Sequence, residues 1–297
     1  SNWGESLTGA FFLGFNGGST NVTALVTKSD GSQAGVSPAI PLSLNTWYHL
    51  ALSADGANVT LYINGVFAAT TVYDGTLRTT LPGTFIGAKS NDAGTAPAIG
   101  NAPGFVNGNI DEVRIWNVGR TAQQIADNMN CEIPSSTPGL VANFHFNQGV
   151  AGGNNTGETT LTDATGNGFN GTLNNFVLSG STSNWVTPGG VVSGTNCPPP
   201  PSTGDYRSVS SGDWTSLSTW ERYDGSSWLA AVIAPSSTDN VITIQNGNTV
   251  TVSTVVTADQ VIVATGGSLS VNSSGQLIVN NGAGTDLDVN SGGSVTN

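Results

Sequence analysis

Between Gly108 and Ile125 the apolar spacing changes period. Val113 and Ile115 alternate with polar neighbours, as a half-buried strand requires. Beyond Asn117 the spacing turns helical. Thr121 is placed to cap a helix, Gln124 follows three residues later as in a capping box, and Ile125 and Met129 lie one turn apart. The stretch therefore predicts a strand that runs almost directly into a short helix. By the same alternation Asp111 falls on the face of Val113 and Ile115. A carboxylate turned inward is costly unless a cation or hydrogen-bond donors neutralise it, so the stretch also predicts a partner for Asp111.

The rest of the chain holds little helical pattern. Its 297 residues suffice for about two domains, and 40 Gly with 9% charged residues point to short strands joined by turns, an all-β chain. A net charge of −12 with only 7 Lys+Arg excludes a nucleic-acid partner and an anionic membrane surface, both of which need clustered cations. It permits divalent cations and neutral glycans. No apolar run reaches the ~18 residues of a membrane span, so no membrane insertion is expected.

Strand patterns in the first part run over Ala10–Phe15, Trp47–Leu52, Val59–Ile63, Val66–Ala69, Thr84–Gly87, Ile110–Trp116 and Gly139–Asn147. Asn64-Gly65 between alternating apolar residues marks a two-residue hairpin, because both turn positions need positive φ. The series Thr46–Ala51, Leu61–Gly65, Phe85–Gly87 and Gly108–Asn117 with Arg120-Thr121 resembles the laminin-G/pentraxin-like (concanavalin A-like) jelly-roll family, over roughly residues 1–190. Gly139–Phe146 and Asp163–Leu173 resemble the closing segment of its bacterial members. The resemblance implies a two-sheet antiparallel sandwich that binds glycans or proteins, often with calcium, and mostly without catalysis. The family's opening strands, which precede Ala10–Phe15, are missing, so upstream sequence or a separate chain is expected to complete the sandwich and cover its edge.

The family's calcium-proximal Asp maps to Asp111. Calcium needs about 6–8 oxygen ligands, and the turn holding Asp163 and Asn167 could offer more, so Asp111, Asp163 and Asn167 form the expected Ca2+ set. The alternative is a buried Asp111 bonded to backbone N–H groups or to an arginine. His49 and His145 read as sheet-face residues with satisfied nitrogens. No Ser/His/Asp pattern accompanies them, and Glu112, Glu132, Glu158 and Asp163 stand in no recognisable catalytic context. Cys131 and Cys197 fit no zinc spacing. An extracellular setting favours a Cys131–Cys197 disulfide over two free thiols.

Residues 193–204, with Pro198–Pro201, read as a semi-rigid polyproline spacer between a domain over 1–192 and one over 205–297. From Asp239 onward apolar pairs recur between Gly-rich turns: Ile242/Ile244, Val250/Val252, Val261/Val263, Leu269/Val271, Leu277/Val279 and Leu287/Val289. Alternate pairs recur about every 16–19 residues, which signals a solenoid, best fitted by a parallel β-helix. Trp214, Trp220, Trp228, Tyr206 and Tyr223 read as its aromatic cap, or else as a sugar platform. The expected fold class is thus all-β, an antiparallel jelly-roll sandwich joined by a Pro-rich linker to a capped parallel β-helix.

Three functions fit. The first is a non-catalytic adhesion segment of a large secreted bacterial surface protein, its jelly roll displayed on a stiff stalk and binding a glycan or a surface protein. The second is a purely structural repeat of an extracellular filament, pairing with copies of itself. The third is an accessory glycan-binding module of a secreted polysaccharide-degrading enzyme. The absence of Lys and Arg after Asp239 counts against a catalytic groove there. Because Ser1 opens close to a strand and Asn297 falls inside the repeat, a longer parent polypeptide is expected.

Overall fold

The computed structural model describes residues 10–15, 19–79, 83–89, 96, 104–179, 184–197, 201–282 and 284–297. The chain divides into two compact units, Ser1–Pro199 and Pro200–Asn297. Residues 198–200 of the expected linker lie outside the described residues, as do residues 1–9.

The first unit is built from β1 Phe11–Phe15, β2 Val22–Thr27, β3 Gln33–Val36, β4 Leu50–Ala54, β5 Asn58–Ile63, β6 Val66–Val72, β7 Val113–Trp116, α1 Ala122–Asn128, β8 Leu140–Phe144, β9 Thr160–Leu161 and β10 Gly171–Thr172. Asn64 and Gly65 hold φ of 51° and 74°, the turn that joins β5 to β6 antiparallel. Gly65 is required twice over, because a Cβ there would also press on Ala126 and Met129 of the α1 segment. Sheets β1-β2-β3 and β4-β5-β6 are each antiparallel. Val22, Ala24 and Val26 of one meet Leu52, Val59 and Leu61 of the other in a sandwich core. The antiparallel pair β7-β8 forms a further layer, with Val113, Ile115, Ala142 and Phe144 packed on Leu161 and Trp185.

Helix α1 starts where the sequence predicts. Thr121 Oγ1 accepts from Gln124 N, and the Gln124 side chain accepts from Thr121 N, the reciprocal capping box. Four expected strands differ from their patterns, one of them Gly139–Asn147, which ends at Phe144 ahead of Phe146 at φ 60°. The strand expected over Trp47–Leu52 begins only at Leu50, because Asn64 takes both ends of His49: its Oδ1 accepts His49 N–H and its own N–H donates to the His49 carbonyl. Thr84–Gly87 is not a strand. Gly87 turns the chain at φ 78°, and Ile86 plugs the β7-β8 core instead. The strand expected from Ile110 begins at Val113, because Glu112 sits at φ 49° and breaks the alternation.

The second unit holds β11 Tyr206–Ser208, β12 Gly212–Asp213, β13 Trp220–Tyr223, β14 Trp228–Ala230, β15 Val241–Ile244, β16 Thr249–Val252, β17 Val255–Ala258, β18 Gln260–Val263, β19 Ser268–Val271, β20 Gln276–Val279, β21 Leu287–Val289 and β22 Ser294–Thr296. Most of its strands form parallel ladders, β11-β15-β18-β21, β12-β16-β19-β22 and β17-β20, while β13 pairs antiparallel with β11 and β14 antiparallel with β13. Ile242, Ile244, Val250, Val252, Val261, Val263 and Leu269 are fully buried inside them, together with Tyr206, Trp214 and Trp220. The indoles satisfy their N–H groups internally, Trp214 on the Pro235 carbonyl at 2.9 Å and Trp220 on the Trp214 carbonyl at 2.7 Å.

Two details depart from the pattern read off the sequence. Val256 and Ala258 supply inward positions that the apolar pairs omit. Leu287 and Val289, expected inward, are 40% and 42% exposed, because β21 is hydrogen-bonded along one edge, to β18. The repeat also lengthens: Val250 faces Leu269, but Leu269 next faces Val295.

Ile244 is fully buried between ladders, so Ile244→Ala should cost about 2–5 kcal/mol by transfer and cavity terms. Urea unfolding should then lower the midpoint of the second unit alone. Two unchanged transitions would show that this core does not hold the ladders.

Candidate functional site

The left-handed Glu112 turns its side chain inward at the start of β7, and only 7% of that side chain is exposed. Glu112 Oε2 accepts from Arg114 Nη2 at 2.9 Å, and Oε1 meets His145 Nδ1 at 2.8 Å. Arg114 is equally buried and donates further to the carbonyls of Asn128, at 2.6 Å, and Cys131. Those carbonyls belong to the C-terminal end of α1 and the residues just beyond it. A cation there satisfies acceptors that a helix end leaves open and complements its dipole. One guanidinium thus joins β7, the end of α1 and the disulfide segment.

His145 lies just after β8, where Phe146 at φ 60° ends the strand. The hydrogen bond that His145 donates to Glu112 raises the pKa of His145, against burial, which lowers it. An ionised carboxylate only accepts, so Nδ1 carries the proton. On the other side of the ring Nε2 lies 3.2 Å from Asn143 Nδ2, which also donates to the Ile133 carbonyl at 3.1 Å. Asn143 is wholly buried.

Glu132 completes the group. Its Oε1 accepts from Asn147 Nδ2 at 2.6 Å and Gly194 N at 2.8 Å. Its backbone bridges to Asn196, donating to the Thr195 carbonyl and accepting from Cys197 N. Cys131 and Cys197 on either side are joined as a disulfide, with Cα atoms 4.9 Å apart, and pack with Ile133, Leu140 and Trp116. Among the described residues Glu112, Glu132 and His145 present ligand atoms within 4.8 Å of one another.

The residues expected to bind calcium have other partners. Asp111 Oδ1 accepts from Glu112 N at 3.1 Å, and Oδ2 from Val191 N at 3.0 Å. Both of these donors are backbone N–H groups. Asp163 is buried; Oδ1 accepts from Asn143 N and Thr165 N, Oδ2 accepts from Phe169 N, and the Thr165 hydroxyl reaches both oxygens. Burial works to raise its pKa, yet these donors outweigh it and hold the carboxyl below its ordinary value. Asn167 donates its amide to the Val141 carbonyl at 2.9 Å. Asp163 and Asn167 thus share one turn anchored on β8, whereas Asp111 braces the separate segment around Val191.

Neither histidine lies within a strand, and of the two only His145 has both ring nitrogens hydrogen-bonded, as the sequence suggests. His145 belongs to the acid cluster. His49 precedes β4, and its Nδ1 is buried without a hydrogen-bond partner among the described residues. No sequence rule flags Glu112 as the inward acid, because alternation selects Asp111. The signal that could have found it is the acid-X-Arg spacing of Glu112 and Arg114.

Exposed aromatic surface is also present. Trp47 is 41% exposed and lies against Gly190, where a Cβ would meet its ring. In the second unit Trp228 packs tilted against Tyr223, with ring centroids 5.2 Å apart, and lies under Arg207 at 4.6 Å. A shallow hollow beside them is lined by Arg222, Tyr223, Asp224, Leu229, Ala230 and Val232.

Residues 2–126 match the family model of the concanavalin A-like lectin/glucanases superfamily. No curated protein matches the chain. Among solved structures the chain is similar to a candidate carbohydrate binding protein from Bacteroides ovatus ATCC 8483, at 22% identity and a TM-score of 0.36, covering 54% of this chain and 44% of that one. It is also similar to an S-layer domain-containing protein from Clostridium thermocellum ATCC 27405, at 23% identity and a TM-score of 0.23, covering 39% of this chain and 62% of that one. The chain therefore spans less than two thirds of each. Among the described residues no helix is long and apolar enough to cross a membrane.

Two outcomes follow from this geometry. The disulfide closes a loop of sequence separation 66, worth about 4 kcal/mol by chain entropy. Cys131→Ser with Cys197→Ser should lower the denaturation midpoint of the first unit, and reductant should then have no further effect; a midpoint equal to the parent's would refute this. Burial first, then the Arg114 charge, depress the pKa of His49 from 6.5 to about 4. Its neutral form is favoured in the folded state, so this contribution is complete above pH 6.5 and is lost as pH falls towards 4. His49→Gln should remove up to roughly 3 kcal/mol of that acid sensitivity. An NMR titration placing His49 near its ordinary pKa would contradict the assignment.

Proposed function

We propose that this chain is a non-catalytic glycan-binding segment of an extracellular bacterial surface protein. The observation that carries the reading is the match of residues 2–126 to the lectin/glucanase superfamily model. Two properties of the site favour the lectin side of that superfamily. Glycoside hydrolysis needs two carboxylates free to reach a sugar. Glu112 instead has one oxygen on Arg114 and the other on His145, and is buried; Glu132 spends Oε1 on Asn147 and Gly194. The Cys131–Cys197 disulfide supports an oxidising, extracellular setting.

The second unit is proposed as the start of a stalk. Its parallel ladders and buried apolar pairs support reading it as the first turns of a β-solenoid, stacked on the aromatic residues Tyr206, Trp214 and Trp220 as a cap. On this reading residues 1–192 are the ligand-binding domain, 193–204 the spacer and 205–297 the cap and rungs. A filament reading is favoured by one observation, the half-exposed Leu287, Val289 and Val295 on strands paired along one edge.

A glycan array probed with the whole chain should give hits among neutral polysaccharides. Trp47→Ala should weaken them about tenfold or more, as loss of an aromatic anchor does. A blank array, with large assemblies in sedimentation velocity, would replace this reading with the filament.

A further inference from the structure

We propose that Glu112, Glu132 and His145 form a binding site for a divalent metal ion of the zinc type. Their ligand atoms already lie within 4.8 Å of one another. One imidazole nitrogen with two carboxylate oxygens suits Zn2+ and its neighbours Mn2+ and Co2+, whereas calcium is bound through oxygens. Zinc sits about 2.0–2.1 Å from such ligands, which places tetrahedral ligand atoms about 3.3 Å apart. Glu112 Oε1 and His145 Nδ1, at 2.8 Å, stand near that spacing. Glu132 has to close in by no more than an ångström or two, and it is half-exposed, with Oε2 not hydrogen-bonded among the described residues.

The charge and the surroundings both leave room for a cation. Arg114 pairs with Glu112, and Glu132 forms no ion pair with an arginine or lysine among the described residues, so a cation can take the place of a proton on His145 between the two carboxylates. Arg114 binds Glu112 through Oε2 and leaves Oε1 turned to His145. A separate observation stands beside the ligands. Asn143 is wholly buried, its amide touches His145 at Nε2, and its Oδ1 has no hydrogen-bond partner. A metal on Nδ1 displaces the proton there and leaves the ring's proton on Nε2, which needs an acceptor. Rotating the Asn143 amide supplies Oδ1 to that proton, at the loss of the Nδ2 bond to the Ile133 carbonyl.

The site is also preorganised. The backbone of Glu132 is held between the disulfide and the Thr195–Cys197 segment, which leaves its side chain to close in, and Glu112 is fixed by Arg114. An ion there would fasten the start of β7, the end of β8 and the disulfide segment to one another. Competing sites for zinc are few: the chain has two histidines, one of them the buried His49, and no free cysteine.

The test uses the whole chain stripped of metal. Isothermal calorimetry with ZnCl2 should give one site per chain, and thermal unfolding should show the first unit rising by about 3 °C or more at saturating zinc. Co2+ should give the visible absorption of a low-coordinate nitrogen/oxygen site. Glu132→Gln and His145→Gln should each abolish the zinc shift and the cobalt spectrum. Glu132→Gln carries the test if His145→Gln fails to fold, because Glu132 is half-exposed. No zinc heat and no shift in the parent chain would overturn the proposal and leave Arg114 and a proton on His145 to answer the carboxylates. An identical shift in Glu132→Gln and the parent would overturn it as well.

Discussion

The first unit depends on where Arg114 places its charge. A buried guanidinium is tolerable only when its donors are met, and a buried carboxylate only when its charge is answered. Arg114 answers the charge of Glu112 and donates from both Nη atoms, to Glu112 on one side and the carbonyls of Asn128 and Cys131 on the other, with Nε alone left without a partner among the described residues. The order of elements follows from this. β7 must end close enough to α1 for one side chain on the strand to cap the helix it leads into. The disulfide then holds Cys131, whose carbonyl is one of the acceptors. Removing either charge would strand the other away from water, which costs far more than the pair itself contributes.

Local signals in the sequence survive in the structure where the interactions that cause them are local. Asn64-Gly65 forms its hairpin, because positive φ at two successive positions is a property of those residues alone. Thr121 and Gln124 form their box, because both partners lie within one helical turn. The buried pairs from Ile242 to Leu269 hold for a different reason: each needs only a like pair on the next ladder strand, so the pattern carries its own partner.

The site was less legible, and the cause is identifiable. Period-two alternation assumes an unbroken strand, and it ran through Glu112 to select Asp111. One residue at φ 49° invalidates the parity for everything before it. What holds Glu112 in that conformation is spread along the chain: Asp111 on its own N–H and on Val191, Arg114 two residues on, and His145 on the neighbouring strand. No window of sequence contains those partners together. The same holds for Asp163. Its turn composition resembles a cation loop, but the strand it lies against supplies one of its N–H donors, from Asn143.

The two units therefore solve the same problem differently. Both must pair backbone polar groups and bury enough apolar surface to offset chain entropy. The second unit does so by repetition, its strands from Val241 to Val279 uncharged and its turns passing so close to the preceding ladder that Gly267 and Gly293 have carbonyl oxygens where a side chain would start. Such a stack tolerates little chemistry, because a charge on one rung meets the next rung directly. The first unit breaks its own regularity at Glu112, at Gly87 and at Phe146, and each break lets a side chain leave the strand pattern for the core or the polar cluster. Irregular backbone is what permits several acids, a histidine and an arginine to converge in an otherwise charge-poor protein. Any specific chemistry in this chain is accordingly concentrated where its strands are interrupted.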